Sequence, residues 1–522
     1  MPAIILSTLN ARFIHASLGL RYLLANLGEL RGRALLREFT IARAATEIVD
    51  ELLLALDSLP DEGERLQIIG FGVYIWNVVQ TTEVVRLLRA KRPAVNIVLG
   101  GPEVSYEPED QAIVALADHV IAGWSEASFP ALCRALERGE RLPKFIVGER
   151  LPLAEIQLPY DEYSDADLAH RLLYVEASRG CPFKCEFCLS ALDDRVEDFD
   201  PACFLAAMHG LYRRGARNFK FVDRTFNLKI AASERILQFF LDRLDESPTL
   251  FVHFEVIPDR FPERLKTLIA RFPPGVLQFE VGIQSFNPQV QQRISRRQDE
   301  AKSIANLRWL VDSGKVHVHA DLIFGLPGET LESFAAGFDR LYALQPHEIQ
   351  LGFLKRLRGT PIIRHGAAFG MVYDPAPPYT VLSTAAVDAL TLRRMHGFAR
   401  LWDRLANSGR FRRSLALLLS GDSPFYAFLA FSERFWQQRD LGEAQRTGLT
   451  PEALVDALYD DLCAQGWPED TVQQALLADY QCSSARGSPR CLRGLLSRQV
   501  IPTEAAVRLA QRQARHRDQE TE

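Results

Sequence analysis

Apolar residues in the first 150 positions fall into two alternating patterns. Short solid runs, AIILSTL (3–9), LQIIGFGVY (66–74), NIVLGGPEVS (96–105) and ADHVIAGWSE (117–126), read as strands buried on both faces. Between them, LGLRYLLANLGEL (18–30), TTEVVRLLRAKRP (81–93) and PALCRALERG (130–139) set apolar residues three and four apart, the spacing of one helix face. Strands alternating with helices predict an α/β fold with a doubly wound parallel sheet over residues 1–145. Ligands of such sheets sit outside the carboxyl ends of the strands. Those ends are Gly72-Val73-Tyr74-Ile75-Trp76-Asn77, Gly100-Gly101-Pro102-Glu103 and Gly123-Trp124-Ser125-Glu126.

Residues 146–171, with several prolines and charges, predict a linker. A second strand series follows in LLYVEASRG (172–180), NFKFVD (218–223), TLFVHFEV (249–256), VLQFEVGIQS (276–285), VHVHADLIFG (316–325) and EIQLGFL (348–354). Amphipathic stretches such as SERILQFFLDRLDE (233–246) and AKSIANLRWLVDSG (301–314) separate them, which predicts a partial β/α barrel over 172–372. The PAPPY turn (375–379) introduces a mainly α-helical remainder, 373–522.

Composition narrows the function classes. The 522 residues are 47% hydrophobic with a formal net charge of −5, an ordinary globular balance with no global field for nucleic acid or anionic membrane. The N-terminal MPAIILSTLNARF lacks a basic stretch ahead of a long apolar core, and no apolar run is long enough to span a bilayer. Eight cysteines, three clustered and five scattered, do not make a disulfide framework; they point to a reducing, cytoplasmic setting and to metal use.

The clustered three are Cys181, Cys185 and Cys188 in SRGCPFKCEFCLSAL (178–192). A [4Fe–4S] cluster on three thiolates keeps one iron open. The alternative is zinc, with Cys203 or a histidine as fourth ligand. The Cys-x3-Cys-x2-Cys spacing, with Phe187 before the last cysteine, resembles the signature of the radical SAM superfamily. That resemblance implies that S-adenosylmethionine completes the cluster and is cleaved to a 5′-deoxyadenosyl radical. It assigns Phe187, together with Val222 and Asp223 of FVDRTFN (221–227), where the two glycines usual in the family are missing, to contacts with SAM. Glu280, Gln284 and Ser285 of FEVGIQSF (279–286) are assigned to its ribose and methionine part, and Ile323, Phe324 and Gly325 to its adenine.

The N-terminal region resembles the cobalamin-binding half of cobalamin-dependent radical SAM proteins. On this resemblance Tyr74, Ile75, Trp76, Asn77, Gly100, Gly101, Pro102, Glu103, Gly123 and Glu126 form the cobalamin site. Gly100 and Gly101 leave room for a bulky ligand, and Tyr74, Ile75 and Trp76 face the corrin. Gly-Trp-Ser-Glu (123–126) stands where the family often has Gly-Glu-Gly-Glu. The Asp-x-His-x-x-Gly motif is absent, and His15 reads as a loop histidine, so cobalamin is expected without a protein histidine on cobalt. A domain that binds nothing, or another small molecule, is the alternative. Cys133, in a helical pattern, reads as a core thiol, which argues against a second, sulfur-donating cluster.

LKRLRGTPI (354–362), DPAPPYTVL (374–382) and LANSGRF (405–411) resemble a subgroup whose C-terminal helical domain has no assigned chemistry. Arg356 and Arg358 read as solvated surface charge. Cys463, Cys482 and Cys491 are too irregularly spaced for an auxiliary cluster, and RLAQRQARHRDQ (508–519) reads as an exposed helix and tail. The function expected is radical chemistry on an unidentified substrate, with methyl transfer from cobalamin first. Oxidation, cyclisation or rearrangement without methyl transfer comes second, and a non-catalytic redox sensor is the rival class. The partners expected are a substrate and an external flavodoxin- or ferredoxin-like electron donor, with neither membrane nor nucleic acid.

Overall fold

β1 (Ala3–Asn10) is buried at every position, and its side chains alternate between two cores. Ile5 and Leu9 join Ile48, Leu52, Phe71 and Val85 on one face. Ile4 and Leu6 join Leu20, Leu24, Val98 and Phe129 on the other. Two cores are what a sheet covered by helices on both faces requires, and they explain the solid apolar run. The protein, a computed structural model, is described over residues 2–59, 66–193, 195–246, 249–438, 449–482 and 487–496; the 508–519 segment lies outside the described residues. It forms two units: residues 1–255, 355–364 and 373–380, and residues 256–354, 365–372 and 381–522.

In the first unit β2 (Ala34–Thr40), β1, β3 (Gln67–Gly72), β4 (Asn96–Gly100), β5 (His119–Ala122) and β6 (Phe145–Val147) pair in that order, all parallel. Strand order reverses between β1 and β3, the switch point at which such sheets open a crevice. Four elements stand outside the predicted series: β2, β6 and the helices Ala45–Ser58 and Ala112–Leu116. β2 is an edge strand with only Ala34 and Phe39 buried, so ALLREFT shows neither a solid apolar run nor alternation. The helix from Leu18 is shorter than its pattern predicts: it ends at Ala25, and a 3-10 turn follows over Gly28–Arg33. Cys133 is fully buried in the helix Ser128–Glu137, where burial pushes its thiol up to about 12.

The stretch before the second strand series is anchored to this sheet. Asp167, in the helix Asp165–His170, and Glu38 of β2 each lie 2.8 Å from the buried Arg21 guanidinium. β7 (Leu173–Val175) then starts a second parallel set. β8 (Ser178–Arg179) and β9 (Glu197–Asp198) form a short antiparallel ladder on either side of the cysteines. β10 (Asn218–Phe221) pairs with β7 and with β11 (Phe251–Val256).

The second unit carries β12 (Leu277–Gln284), β13 (Val316–Phe324) and β14 (Glu348–Phe353), parallel neighbours joined by the helices Glu300–Asp312 and Leu331–Tyr342. After residue 381 the described chain is mainly helical: Ala389–Leu405, Arg412–Leu418, Pro424–Gln437, Pro451–Ala464 and Glu469–Gln481. Aromatic edges lock this part together, with Phe338 against Trp402 at 4.8 Å and Phe398 against Phe428 at 4.8 Å. The α/β class with a helical C-terminus is as read from the sequence. No helix of the described residues is long and apolar enough to cross a membrane.

Candidate active site

β7 brings the chain to the carboxyl edge of its strand set, and the three cysteines follow. Cys181 and Cys185 are buried and Cys188 partly so. The Cys188 N–H donates to the Cys185 carbonyl at 3.1 Å, and the Cys181 N–H to the Asp193 carbonyl at 3.3 Å. Gly180 (φ +88°) has no substitute here, because a β-carbon would lie 1.7 Å from the Arg195 carbonyl oxygen. Burial pushes the Cys181 thiol up, the thiols of Cys188 and Cys185 push it the same way, and the Arg224 guanidinium opposes them. Three thiols that sense one another beside a cation are a fitting donor set for an iron–sulfur cluster with three protein ligands. Cys203, the candidate fourth zinc ligand, is exposed and bonded to Asp200.

Two contacts fix the loop. The Glu186 carbonyl accepts from the Ile362 N–H at 3.1 Å, and its buried carboxylate pairs with Arg364. Asp223, just past β10, accepts from the Ala177 N–H at 3.0 Å and the Ser178 hydroxyl at 2.6 Å. Burial raises its carboxyl to about 7. The Asp223 side chain thus ties down the loop's first residues, while Val222 continues the pairing with an N–H···O bond of 2.9 Å to Val175. Phe187 is half-buried within the loop.

A cavity of about 440 Å³ opens in the first unit. One side is the strand ends, with Gly72, Tyr74, Gly100, Gly101 and Gly123; the other is the cysteine side, with Glu176, Arg179, Gly180, Val222 and Arg224. Gly101 is there for a different reason than spare room. It adopts φ +105°, and a β-carbon would fall 2.4 Å from the Val73 carbonyl oxygen, so it lets two strand ends close together. A concave surface of glycine backbone and aromatic side chains, running from the strand ends to the cysteine loop, fits a large planar cofactor with polar arms.

The remaining residues expected at cobalamin divide. Glu126 lines the cavity, and Trp76, 48% exposed, stacks on Tyr74 at 4.4 Å and 8°. Ile75 and Pro102 are half-buried. Asn77 is wholly buried; its amide donates to the Leu9 carbonyl at 3.0 Å and accepts the Tyr74 N–H at 2.8 Å, which ties β1 to the β3 turn. Glu103 is engaged by the Arg358 guanidinium at 3.1 Å and by the Tyr379 hydroxyl. This corrects the reading of Arg356 and Arg358 as solvated charge, since Arg356 also pairs with Glu107 at 2.7 Å. His15 Nδ1 lies 2.8 Å from the Tyr174 hydroxyl, and burial lowers its pKa.

Arg179 was not among the expected residues. It pairs with Glu126 at 2.6 Å and Glu176 at 2.9 Å, and its guanidinium lies 4.5 Å from the Tyr22 ring and 4.7 Å from the Trp124 ring. Arg150 packs on the same Trp124, also at 4.7 Å. The tryptophan that departs from the family pattern therefore serves two cations. Only its neighbour Glu126 gave a sequence signal, because Arg179 finds its partners through the fold.

The other residues expected at SAM lie in the second unit. Glu280 is on β12, which bulges between Gly282 and Gln284; Gln284 adopts φ +70°, a left-handed conformation that side chains rarely take. The Ser285 hydroxyl donates to Glu329, whose carboxyl burial raises to about 7. Ile323 and Phe324 end β13, where the Phe324 carbonyl accepts the Leu354 N–H at 3.0 Å, and Gly325 follows.

Three family models match the chain: Radical SAM superfamily over residues 175–341, B12 binding domain over 7–133, and Protein of unknown function (DUF4080) over 367–510. Among curated proteins it is similar to Uncharacterized methyltransferase PH0819 of Pyrococcus horikoshii, 27% identical over 274 residues, which is 46% of this chain and 56% of that one. The chain thus spans about half the length of that relative. Among solved structures it resembles the radical S-adenosylmethionine methyltransferase TsrM from Kitasatospora setae with cobalamin and [4Fe-4S] cluster bound. That match has TM-score 0.57 and 15% identity, and covers 92% of this chain and all of that one. It also resembles the cobalamin-dependent S-adenosylmethionine radical enzyme OxsB with aqua-cobalamin and S-adenosylmethionine bound. There the TM-score is 0.60 and the identity 14%, over 99% of this chain and 84% of that one. At these identities the structures speak for the fold.

Proposed function

We propose that the chain, whose parts match in order the B12 binding domain, Radical SAM superfamily and DUF4080 models, methylates its substrate with cobalamin as the methyl carrier. Cys181, Cys185 and Cys188 hold the [4Fe–4S] cluster in this reading. Val222, Glu280, Gln284, Ser285 and Ile323–Gly325 take SAM. The observation that carries it is the cavity from Gly100, Gly101 and Gly123 to Gly180 and Arg224, one continuous space for a B12-type cofactor beside the cluster loop. When bound, the cluster with SAM supplies hydrogen abstraction, and cobalamin supplies the methyl group. The chain's own part is positioning. Arg179 holds Glu126 and Glu176 at the cavity wall, and Arg224 sets a cation beside the cysteines. Asp223 fixes the loop's start. The electron donor is of flavodoxin or ferredoxin type, the setting is the cytoplasm, and the substrate is unidentified.

The test uses anaerobically reconstituted protein with SAM, reductant and cobalamin, and quantifies 5′-deoxyadenosine and S-adenosylhomocysteine. Both products are expected, the second dependent on cobalamin, and Cys185→Ala is expected to abolish the first. Deoxyadenosine formation unchanged in Cys185→Ala overturns the cluster assignment. S-adenosylhomocysteine formation indifferent to cobalamin overturns its role as carrier.

A further inference from the structure

The strands of the second unit have two unlike faces. Val316, Val318, Ala320 and Leu322 of β13 are apolar and buried; the alternate positions are His317, His319 and Asp321. Register places Gln278 of β12 beside His317, Glu280 beside His319, and Glu348, the first residue of β14, beside His319 from the other side. Two histidines and a carboxylate are thereby gathered on one face of two adjacent strands, β13 and β14.

We propose that His317, His319 and Glu348 bind one divalent transition-metal ion, zinc by their chemistry. Their ligand atoms all lie within 4.8 Å of one another. Glu348 Oε1 stands 3.2 Å from His317 Nε2 and 3.2 Å from His319 Nε2. A hydrogen bond between a ring nitrogen and a carboxylate spans about 2.7–3.2 Å, so these contacts stand at its long limit. Bonds of about 2.0–2.2 Å to a tetrahedral zinc instead set neighbouring ligand atoms about 3.3–3.5 Å apart. Both observed separations lie within hydrogen-bond range and about 0.1–0.3 Å short of that tetrahedral edge. His317 and Glu348 are 5% and 6% exposed, so the ion would be enclosed. Imidazole with one carboxylate suits zinc, whereas magnesium and calcium prefer oxygen alone.

His347, in contact with His317 at 4.7 Å between ring centroids, is not a ligand. Its Nδ1 accepts the Val318 N–H at 3.1 Å, which leaves the proton of the neutral ring on Nε2. The Gln278 amide nitrogen lies 3.2 Å from both ring nitrogens of His319 and restrains that ring. His319 and Ile323 are four residues apart on β13, about 13 Å along an extended strand. The ion pins β13 to β14 four residues short of the Ile323–Gly325 strand end, on the face where Glu280, also assigned to SAM, is the register partner of His319.

The test is made on full-length protein carrying its iron–sulfur cluster, with zinc sulfate alone as probe and a chromophoric chelator in competition. One zinc per chain is expected beyond the cluster iron, with affinity lowered at least 100-fold in His319→Ala and in Glu348→Gln. Zinc-edge X-ray absorption of the wild type should show nitrogen and oxygen neighbours only, a readout that needs no variant to fold. Zinc lost to the chelator at once, zinc with sulfur neighbours, or retention unchanged in both variants would each overturn the site.

Discussion

Asp223 ties its surroundings to pH. Its folded pKa of about 7 lies above the ordinary aspartate value of 3.8, so between those values the folded chain holds a proton that the unfolded chain releases. Its contribution is complete below about pH 4 and is lost as pH rises through 7, up to about 4 kcal/mol at 1.36 kcal/mol per unit. Asp223→Asn removes this dependence. In urea titrations at pH 4, 5.5, 7 and 8, the variant should gain on the wild type as pH rises; a difference constant with pH would contradict the assignment. The cysteines were legible at this scale because their spacing along the chain carries the chemistry. Arg179 and Asp223 were not, because their partners are set by where strands end.

Strands and helices were legible where both faces are buried, as in β1, and lost where burial is partial, as in β2. Contacts between segments far apart in sequence were the least legible. The segment Lys355–Arg364, whose Arg356 and Arg358 read as solvated charge, places Arg364 on Glu186 and Arg358 on Glu103. Removing one partner of a buried carboxylate leaves that charge uncompensated. Arg364→Ala should therefore loosen the cysteine loop without changing its ligands. Under an iron chelator the variant is expected to release cluster iron at least tenfold faster than wild type, followed at the cluster's visible absorbance; equal rates would remove the segment's role.

The chain divides into two compact units, so unfolding by denaturant is expected in more than one step. A ligand shifts only the transition of the unit that binds it. Cobalamin at 100 times its dissociation constant should raise the first unit's transition by about 2.7 kcal/mol and leave the other in place. Tryptophan fluorescence and far-ultraviolet dichroism, recorded with and without cobalamin, check this; a single transition that moves as one would show the units unfold together. The order of domains was readable from strand–helix alternation and the late helical stretch. The interleaving was not, because nothing in LKRLRGTPI or PAPPYT marks those residues as part of the first unit.

That interleaving has a consequence in time. Arg364 lies 178 residues beyond Glu186. At about 5–20 residues per second, the ribosome delivers it roughly 10–35 s after the cysteines have emerged. The three thiols spend that interval on a nascent chain whose fastening has yet to be synthesised, so iron and sulfide delivered then meet an open loop, and those delivered later meet a closed one.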